Sequence, residues 1–544
     1  MTPPTTTMPP SPLPLVLQIG FAGARTLVDT KAHPTADPAA FSAAAETALL
    51  ELLQSLPGEL GLGGAPVFFC GISQIAIGGD MAFARALHQH GSLHRVFLPQ
   101  PLDGYLAASG SRGPDFTDAQ QAQARALLEQ PGTIQTRVVS DAAGRHERFR
   151  ETNLEIARVS DVVICLERAR QDGRAGGTLE LADLARRRKR PVITLEIGVG
   201  QDGQPAITRP KEAAEDVALR SLPPPRLPDG LSSAGIKPLR FPPLPAGSDY
   251  VKALKDANSD QANRLRSLFK WAALIIVIGH VLATMLAVVA LNVHDGVAVI
   301  LATELLLLGL GLSVHHQLHR SRSLGRWAAC RLAAEVGRSL QALGQLPVYL
   351  QHFFTLPLPV EFLPLLRTLS VMHLRDTARA GTADWVSARN EYVRNRLVDP
   401  TKHAQIPYHD DSRAKAGRWR ARANATFYVA SIGALLAATL KLLTLAHSVP
   451  VPPHLETAVT AVLGSLAIVL PVVAVAALSL AAAFDLEAKE HTSSEMFAFL
   501  QEQKALLEGA QSPSEVSRLV IETESRLLGE TANWYARRSF VGVA

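Results

Sequence analysis

Three glycine-containing segments carry the residue types of this chain that are best suited to binding chemistry. Glycine lets the backbone approach a ligand closely, helix N-termini attract anions through their free N–H groups, and arginine forms paired hydrogen bonds with phosphate. The segments are GFAGAR at 20–25, GIS at 71–73 with GGD at 78–80, and GGTLE at 176–180. From these segments, Arg25 could reach a phosphate, and the Gly-Gly-Thr turn at 176–178 could hold an anion on its backbone N–H groups.

Each segment also has an interpretation that is purely structural. Glycines often end strands at tight turns, and Asp80 could be the N-cap of a helix. Glu180 lies one turn into a predicted helix, so it could act as an acid or base or simply interact with the helix dipole. The sequence leaves these alternatives open.

Apolar runs precede these segments and predict the elements that position them. Between residue 13 and about residue 200, six runs rich in Val, Ile and Leu alternate with helical patterns. Such runs are typical of a parallel sheet with helices on both faces, which binds ligands at the carboxyl ends of its strands. We expect an α/β Rossmann-like parallel sheet with strands at 14–20, 66–70, 94–98, 133–139, 161–167 and 191–197 and helices at 38–56, 80–90, 117–129 and 179–188.

Beyond about residue 250, the chain contains uncharged stretches that are long enough to cross a membrane. The 24 residues between Lys270 and Asp295 are uncharged, and the 28 residues at 457–484 carry no charge either. A helix that rises 1.5 Å per residue needs about 20 residues to cross ~30 Å of hydrocarbon. The sequence therefore predicts an all-α membrane domain at 250–544, with four transmembrane helices at about 270–291, 297–316, 425–445 and 457–484.

The distribution of Lys and Arg predicts the orientation of these spans. Both residue types are absent from the connections 292–296 and 447–455 but frequent at the other ends of the spans. By the positive-inside rule, we expect a multi-pass protein of the inner membrane whose two termini are cytoplasmic, with cytoplasmic helical segments at 317–422 and 485–544. The stretch 339–360 is uncharged as well, but its three prolines place it in the cytoplasm or at the interface.

The composition excludes several other classes of protein. With 47% hydrophobic and 19% charged residues, the chain is not a disordered scaffold. A net charge of +5 does not indicate a nucleic-acid partner. Three widely separated cysteines argue against a disulfide-stapled fold, and His315, His316 and His319 lack the companions of a metal site. We expect no metal, no cofactor, no cleaved signal, a disordered tail at 1–12 and a proline-rich linker at 221–249.

The ordered set of glycine motifs resembles the SLOG superfamily of Rossmann-like nucleotide-binding domains. The resemblance covers about residues 13–200 of a domain that we expect at 13–220. It rests on GFAGAR, on SQIAIGGDMAFARALHQHG and on SDVVICLE followed by RAGGTLELADLARRRKRPVI. It implies that a nucleotide or a nucleotide-derived messenger binds at the strand ends. The candidate ligand-binding residues that it implies are Gly20, Gly23, Arg25, Gly71, Ser73, Gly78, Gly79, Asp80, Gly176, Gly177, Thr178 and Glu180. The segment AGGTLE is shorter than the PGGxGTxxE pattern of the related LOG phosphoribohydrolases, which favours a sensor. A membrane-anchored nucleotide N-glycosidase is the alternative.

Three segments around the spans resemble the SLATT family of membrane effectors. They are RWAACRLAAEVGR at 326–338, YVRNRLVDPTKHAQIPYH at 392–409 and ETESRLLGE at 522–530. The resemblance implies a pore-forming or membrane-disrupting domain that responds to nucleotides in bacterial antiviral systems. The chain departs from the two-span pattern of that family because it has four predicted spans.

Three polar groups at membrane depth are candidate pore or intramembrane residues, since burying them in lipid is costly. They are His280, Glu304 and Lys441. We expect Glu304 to face inward, lining a pore or pairing with Lys441, although Lys441 could also snorkel to the interface.

These observations together predict a nucleotide-gated membrane effector. A cytoplasmic sensor would bind a small nucleotide ligand and activate a homo-oligomeric pore in the lipid bilayer, in antiphage defence by abortive infection. A transporter is disfavoured because the sequence has no evident inverted pair of broken helices.

Overall fold

The chain forms two compact units. The computed structural model describes residues 15–60, 67–110, 113–168, 177–210, 231, 247–291, 296–321, 323–350, 362–380, 384–402, 404–446, 448 and 451–540. The first unit contains the N-terminal region together with Leu343–Trp385, and the second contains Leu254–Ala342 and the chain from Val386 onward. The segment 343–385 thus belongs with the N-terminal region, whereas the sequence-based boundaries assigned it to the membrane domain. The predicted tail and nearly all of the predicted linker lie outside the described residues.

The first unit is built on a seven-stranded sheet of order β6-β3-β2-β1-β7-β8-β9. The first six strands in this order, from β6 to β8, pair in parallel, and β9 pairs antiparallel with β8. The six predicted strands are confirmed, whereas β9 and the small β4–β5 pair were not predicted. The strands are β1 Leu15–Gly23, β2 Val67–Ser73, β3 Leu93–Leu98, β4 Ser109–Gly110, β5 Gly113–Pro114, β6 Thr133–Val138, β7 Val162–Arg168, β8 Val192–Val199 and β9 Pro205–Thr208.

Helices cover both faces of this sheet, as predicted. They are α1 Pro38–Glu59, α2 Gly79–His90, α3 Leu102–Leu106, α4 Asp118–Leu128, α5 Arg145–Val159 and α6 Thr178–Arg187. Helices α1 and α2 pack on one face of the sheet, and α5 and α6 pack on the other. Helix α4 starts at a capping box between Thr117 and Gln120. The sequence did not predict α5 because its first two turns are charged rather than amphipathic.

The strand order creates a crevice at the centre of the sheet. From β1 the chain builds outward through β2, β3 and β6, and it then returns to place β7 on the other side of β1. At such a reversal, the connections that follow two adjacent strands go to opposite faces of the sheet. This opens a crevice at the carboxyl ends of those strands. The carboxyl ends of β1 and β7 therefore mark the expected ligand position.

The remaining helices lie beyond residue 247. Helix α11 continues directly into a π-helical turn at Val393–Val398. The helices are α7 Gly247–Ala290, α8 Val297–Arg320, α9 Ser323–Leu343, α10 Phe362–Ala380, α11 Trp385–Tyr392, α12 Gln405–Leu445, α13 Pro453–Ala483, α14 Leu486–Gly509 and α15 Pro513–Phe540.

Helix α10 and Tyr349 cover the amino-terminal part of the sheet. Val371 and Leu374 of α10 are buried with Tyr349 against Val16 of β1 and Ile134 of β6. This face of the sheet is polar at its centre, so the covering segment supplies polar partners as well as apolar ones. The described part of the uncharged stretch 339–360, residues 339–350, does not form one continuous helix. Helix α9 ends at Leu343, and Tyr349 packs in this core.

The polar contacts beneath α10 form a group that we call the face cluster: Gln18, Arg95, Asp161, Tyr349 and Arg367. Gln18 Nε2 donates to the Tyr349 hydroxyl at 2.6 Å, and the Arg95 guanidinium stacks 3.8 Å from the centre of the Tyr349 ring. Arg367 forms an ion pair with Asp161, whose other oxygen accepts the backbone N–H of Gln18 at 2.9 Å. All five residues are buried, so buried polar contacts hold α10 to β1 and to the start of β7.

Among the residues that the structure describes, four helices are long and apolar enough to cross a membrane, which confirms the predicted number. They are Asp249–Ala290, Val297–Arg320, Gln405–Leu445 and His454–Gly509, and the last of these includes the break between α13 and α14. In the most apolar 18-residue stretch of each helix, only 6–22% of the residues are buried within the chain. The apolar surface of these helices is thus directed outward, as lipid contact requires.

Three charged side chains, the buried triad, join helices of the second unit: Glu335 of α9, Arg396 of the π-helical turn and Glu524 of α15. Arg396 donates to Glu335 and to both oxygens of Glu524 at 2.9 Å. Tyr392 also donates to Glu524, at 2.7 Å. Burial would raise the pKa of Glu335, but the charges of Arg338 and Arg396 outweigh it and lower this pKa to about 2.

Candidate functional site

The glycines at the end of β1 form a close backbone contact with the start of α2. A Cβ on Gly79 would lie 2.6 Å from the Cα of Gly23, and the Gly79 N–H donates to the Ala24 carbonyl at 2.9 Å. Gly78 has a φ of +81°, which favours glycine. The motif glycines 23, 78 and 79 thus fix the shape of the loop after β1.

Asp80 holds the same loop from inside. Its carboxylate accepts the backbone N–H of Gly23 at 3.0 Å and that of Ala76 at 3.2 Å. Burial raises the pKa of Asp80 to about 7, although both hydrogen bonds oppose that rise. The N-cap interpretation of Asp80 was wrong, because Gly78 occupies the N-cap position of α2.

Three further candidate residues lie inside the sheet and serve packing. A Cβ on Gly20 would lie 2.3 Å from Ser160 Oγ, and one on Gly71 would lie 2.1 Å from a methyl of Leu87. Ser73 is buried and donates to the Gln74 carbonyl at 2.5 Å, with its Oγ 2.9 Å from His94 Nε2. For these three residues the structural interpretation is the better one.

Arg25, in contrast, reaches a charged group at the carboxyl edge of the sheet, which we call the edge cluster: Arg25, Asp115 and Arg145. Arg25 follows β1, Asp115 follows β5, and Arg145 is the first residue of α5. Arg25 lies 3.4 Å from the Asp115 carboxylate and also donates to the Asp115 backbone carbonyl, and Arg145 pairs with the other carboxylate oxygen. Both arginine side chains are 40% exposed.

Aromatic rings support both arginines of the edge cluster. The Arg25 guanidinium lies 5.8 Å from the centre of the Phe116 ring, and that of Arg145 lies 5.8 Å from the Phe149 ring. The buried Tyr105 ring contacts both of these rings. Stacking on aromatic faces stabilises a guanidinium and restricts its orientation, so the two cations are pre-positioned at the edge.

The third glycine segment lies at the N-terminus of α6, beside the first turns of α5. Gly177 is the N-cap, and its carbonyl accepts the side-chain amide of the buried Asn153 at 3.2 Å. Thr178 is buried, and Glu180 pairs with Arg150 at 3.5 Å. Gly176 lies outside the described residues.

Helix α5 therefore connects two of the predicted segments. Its residue 145 belongs to the edge cluster with Arg25, and its residues 150 and 153 contact the α6 segment. The sequence reasoning missed Asp115, Arg145, Arg150 and Asn153. One signal was available, since the run RHERFR places cations at a helix N-terminus, where the dipole disfavours them unless an anion is nearby.

Two of the three polar groups in the spans, His280 and Lys441, lie at helix contacts of the second unit. His280 donates to the Ile276 carbonyl at 2.7 Å, and its ring lies against Gly311 of α8. A Cβ on Gly464 of α13 would lie 2.6 Å from the Lys441 ammonium, so this side chain is directed toward α13. Within the described part of the chain, Glu304 and Lys441 do not form an ion pair with each other.

No family model, no curated protein and no solved structure matches this chain.

Proposed function

We propose that the chain is a nucleotide-controlled membrane protein, in which a ligand at the carboxyl edge of the sheet changes the state of the spans. One observation carries the proposal: α10, which the chain places between the second and third spans, is part of the sheet unit. An anchor that merely tethers an independent domain has no need for such a contact.

The face cluster supplies a physical route for this control. Asp161 directly precedes β7 and joins Arg367 of α10 to the backbone of β1. The carboxyl ends of β1 and β7 mark the proposed ligand position, and the six residues from Gln18 to Gly23 span only about 17 Å of strand. A ligand that shifts these strand ends would act on the contact with α10, provided that its affinity differs between the two states.

The same contact supports the proposed topology. The sheet precedes the first span and α10 follows the second, so a chain that crosses and returns brings both to one side. The buried triad agrees, because Glu335 follows the second span, Arg396 precedes the third and Glu524 follows the fourth. With the basic residues at these ends, the positive-inside rule makes that side cytoplasmic in an inner membrane.

The motif resemblances described above extend the proposal to a biological role. A SLOG-like sensor and a SLATT-like effector in one chain favour a nucleotide-derived messenger as ligand, a homo-oligomeric pore as output and antiphage defence by abortive infection as role. The half-exposed arginines of the edge cluster support an anionic ligand.

Leakage from dye-loaded liposomes tests the proposal. Full-length protein is reconstituted and exposed to nucleoside mono-, di- and triphosphates and cyclic dinucleotides. We expect one class to release the dye, and Arg25→Glu and Gly177→Trp to abolish the release. Release by no nucleotide, or release that neither variant changes, would contradict the proposal.

A further inference from the structure

The edge cluster holds one carboxylate between two guanidinium groups from different parts of the chain. Asp115 is only 15% exposed in its side chain, whereas each arginine remains 40% exposed. The anion is therefore the covered member of the group, and solvent reaches the cations. Two arginines bind a phosphate in the same geometry, and here a carboxylate occupies the position of the phosphate.

Both arginines have contacts in addition to the Asp115 carboxylate. Each guanidinium lies over an aromatic ring, Phe116 or Phe149, and the buried Tyr105 contacts both rings. Helix α5 also begins at Arg145 with no side-chain cap on its N-terminal N–H groups. A site with two supported cations beside an uncapped helix end favours an anion whether or not Asp115 fills it.

We propose that Asp115 is a built-in competitor that occupies a phosphate site formed by Arg25 and Arg145, and that the phosphate of a nucleotide displaces it. The inference rests on the proposed function, since it identifies what its ligand must carry. A phosphate presents up to two negative charges and three acceptor oxygens, against one charge and two oxygens for a carboxylate. To bind, the ligand must displace the Asp115 carboxylate, which carries one negative charge. The ligand therefore needs more than one negative charge.

Isothermal titration of the detergent-solubilised full chain with inorganic pyrophosphate, ADP and adenosine tests this competition. We expect Asp115→Asn to bind pyrophosphate and ADP at least about tenfold more tightly than the wild type, since one charge-assisted contact corresponds to roughly that factor. Arg145→Gln is expected to weaken both by a similar factor. Adenosine carries no phosphate, so we expect it to bind neither the wild type nor either variant.

Asp103→Asn is the matched control, because Asp103 pairs at 2.7 Å with a single arginine, Arg125, on the exposed surface of the same unit. It should leave all three titrations unchanged. Asp115→Ser is measured in parallel, in case the asparagine variant fails to fold, and the same tightening is expected.

Three results would overturn the inference: pyrophosphate binding that is equal or weaker in both Asp115 variants, binding that Arg145→Gln does not weaken, or no binding of either phosphate probe to any form. Tightened binding without dye release from liposomes would sustain the inference and contradict the proposed control of the spans. The two failures are therefore distinguishable.

Discussion

The edge cluster and the buried triad both consist of arginine and carboxylate groups, but they differ in their exposure to solvent. In the edge cluster, two half-exposed arginines bind one carboxylate; in the buried triad, one fully enclosed arginine binds two carboxylates. Exposed ion pairs contribute little to stability, whereas breaking a buried pair leaves a charge without compensation. The comparison indicates that the triad holds helices together, while the edge cluster is available to a ligand.

The largest effect is expected when the triad loses its cation. Arg396→Met leaves Glu524 buried without its counter-charge and leaves Glu335 paired with Arg338 alone, and we expect it to destabilise the protein by about 3–5 kcal/mol. Thermal unfolding in detergent measures the change. Arg394→Met is the matched control, since Arg394 is exposed in the same π-helical turn. Equal melting temperatures for both variants would contradict the structural role of the triad.

A smaller loss is expected at the glycine contact beside the edge cluster. Gly79→Ala places a Cβ against the backbone of Gly23, and we expect a cost of about 1–3 kcal/mol, typical of overpacking. Gly58→Ala is the control, because nothing lies within 4 Å of that position in α1. A melting temperature of Gly79→Ala at or above that of the control would show that the loop can relax.

Two buried carboxylates, Asp80 beside the edge cluster and Glu335 of the buried triad, should contribute to stability with opposite dependence on pH. The pKa of Asp80 is raised to about 7 in the folded state by burial, so its contribution to stability is present at low pH and is lost as pH rises from about 4 to 7. The pKa of Glu335 is lowered to about 2, so its contribution is present above its unfolded pKa and is lost as pH falls from about 4.5 to 2.

Melting temperatures of the wild type minus those of Asp80→Asn and Glu335→Gln, measured from pH 2 to pH 8, check both signs. The first difference should decrease as pH rises from 4 to 7, and the second should decrease as pH falls from 4.5 to 2. Parallel curves for the two variants would contradict the contrast between the two sites.

The smallest effect on stability is expected at the edge cluster. Arg25→Gln removes one half-exposed ion pair, and we expect the free energy of unfolding to change by less than about 1 kcal/mol. The same variant should weaken nucleotide binding. A stability loss comparable to that of Arg396→Met would mean that the edge cluster is a structural element.

The sequence predicted the sheet and the spans well because both depend on local patterns. Apolar runs of strand length and uncharged runs of membrane length are visible without any tertiary information. The charged helix α5 has neither pattern, so it was missed together with its residues Arg145 and Asn153.

The site could be predicted only in part, because the motif glycines are ambiguous without their neighbours. The same residue type packs against a helix at Gly20, fixes a loop at Gly79 and caps a helix at Gly177. The contact of α10 with the sheet joins residues about 200 positions apart, such as Asp161 and Arg367, and neither residue belongs to a local pattern that predicts it.

The central claim is that α10 transmits ligand binding from the sheet to the spans. The most direct test compares nucleotide binding and dye release in the same liposomes for the wild type and Arg367→Gln, with exposed Arg379→Gln of the same helix as control. We predict that Arg367→Gln still binds the nucleotide but releases no dye, whereas the control does both. Normal release by Arg367→Gln would contradict the claim.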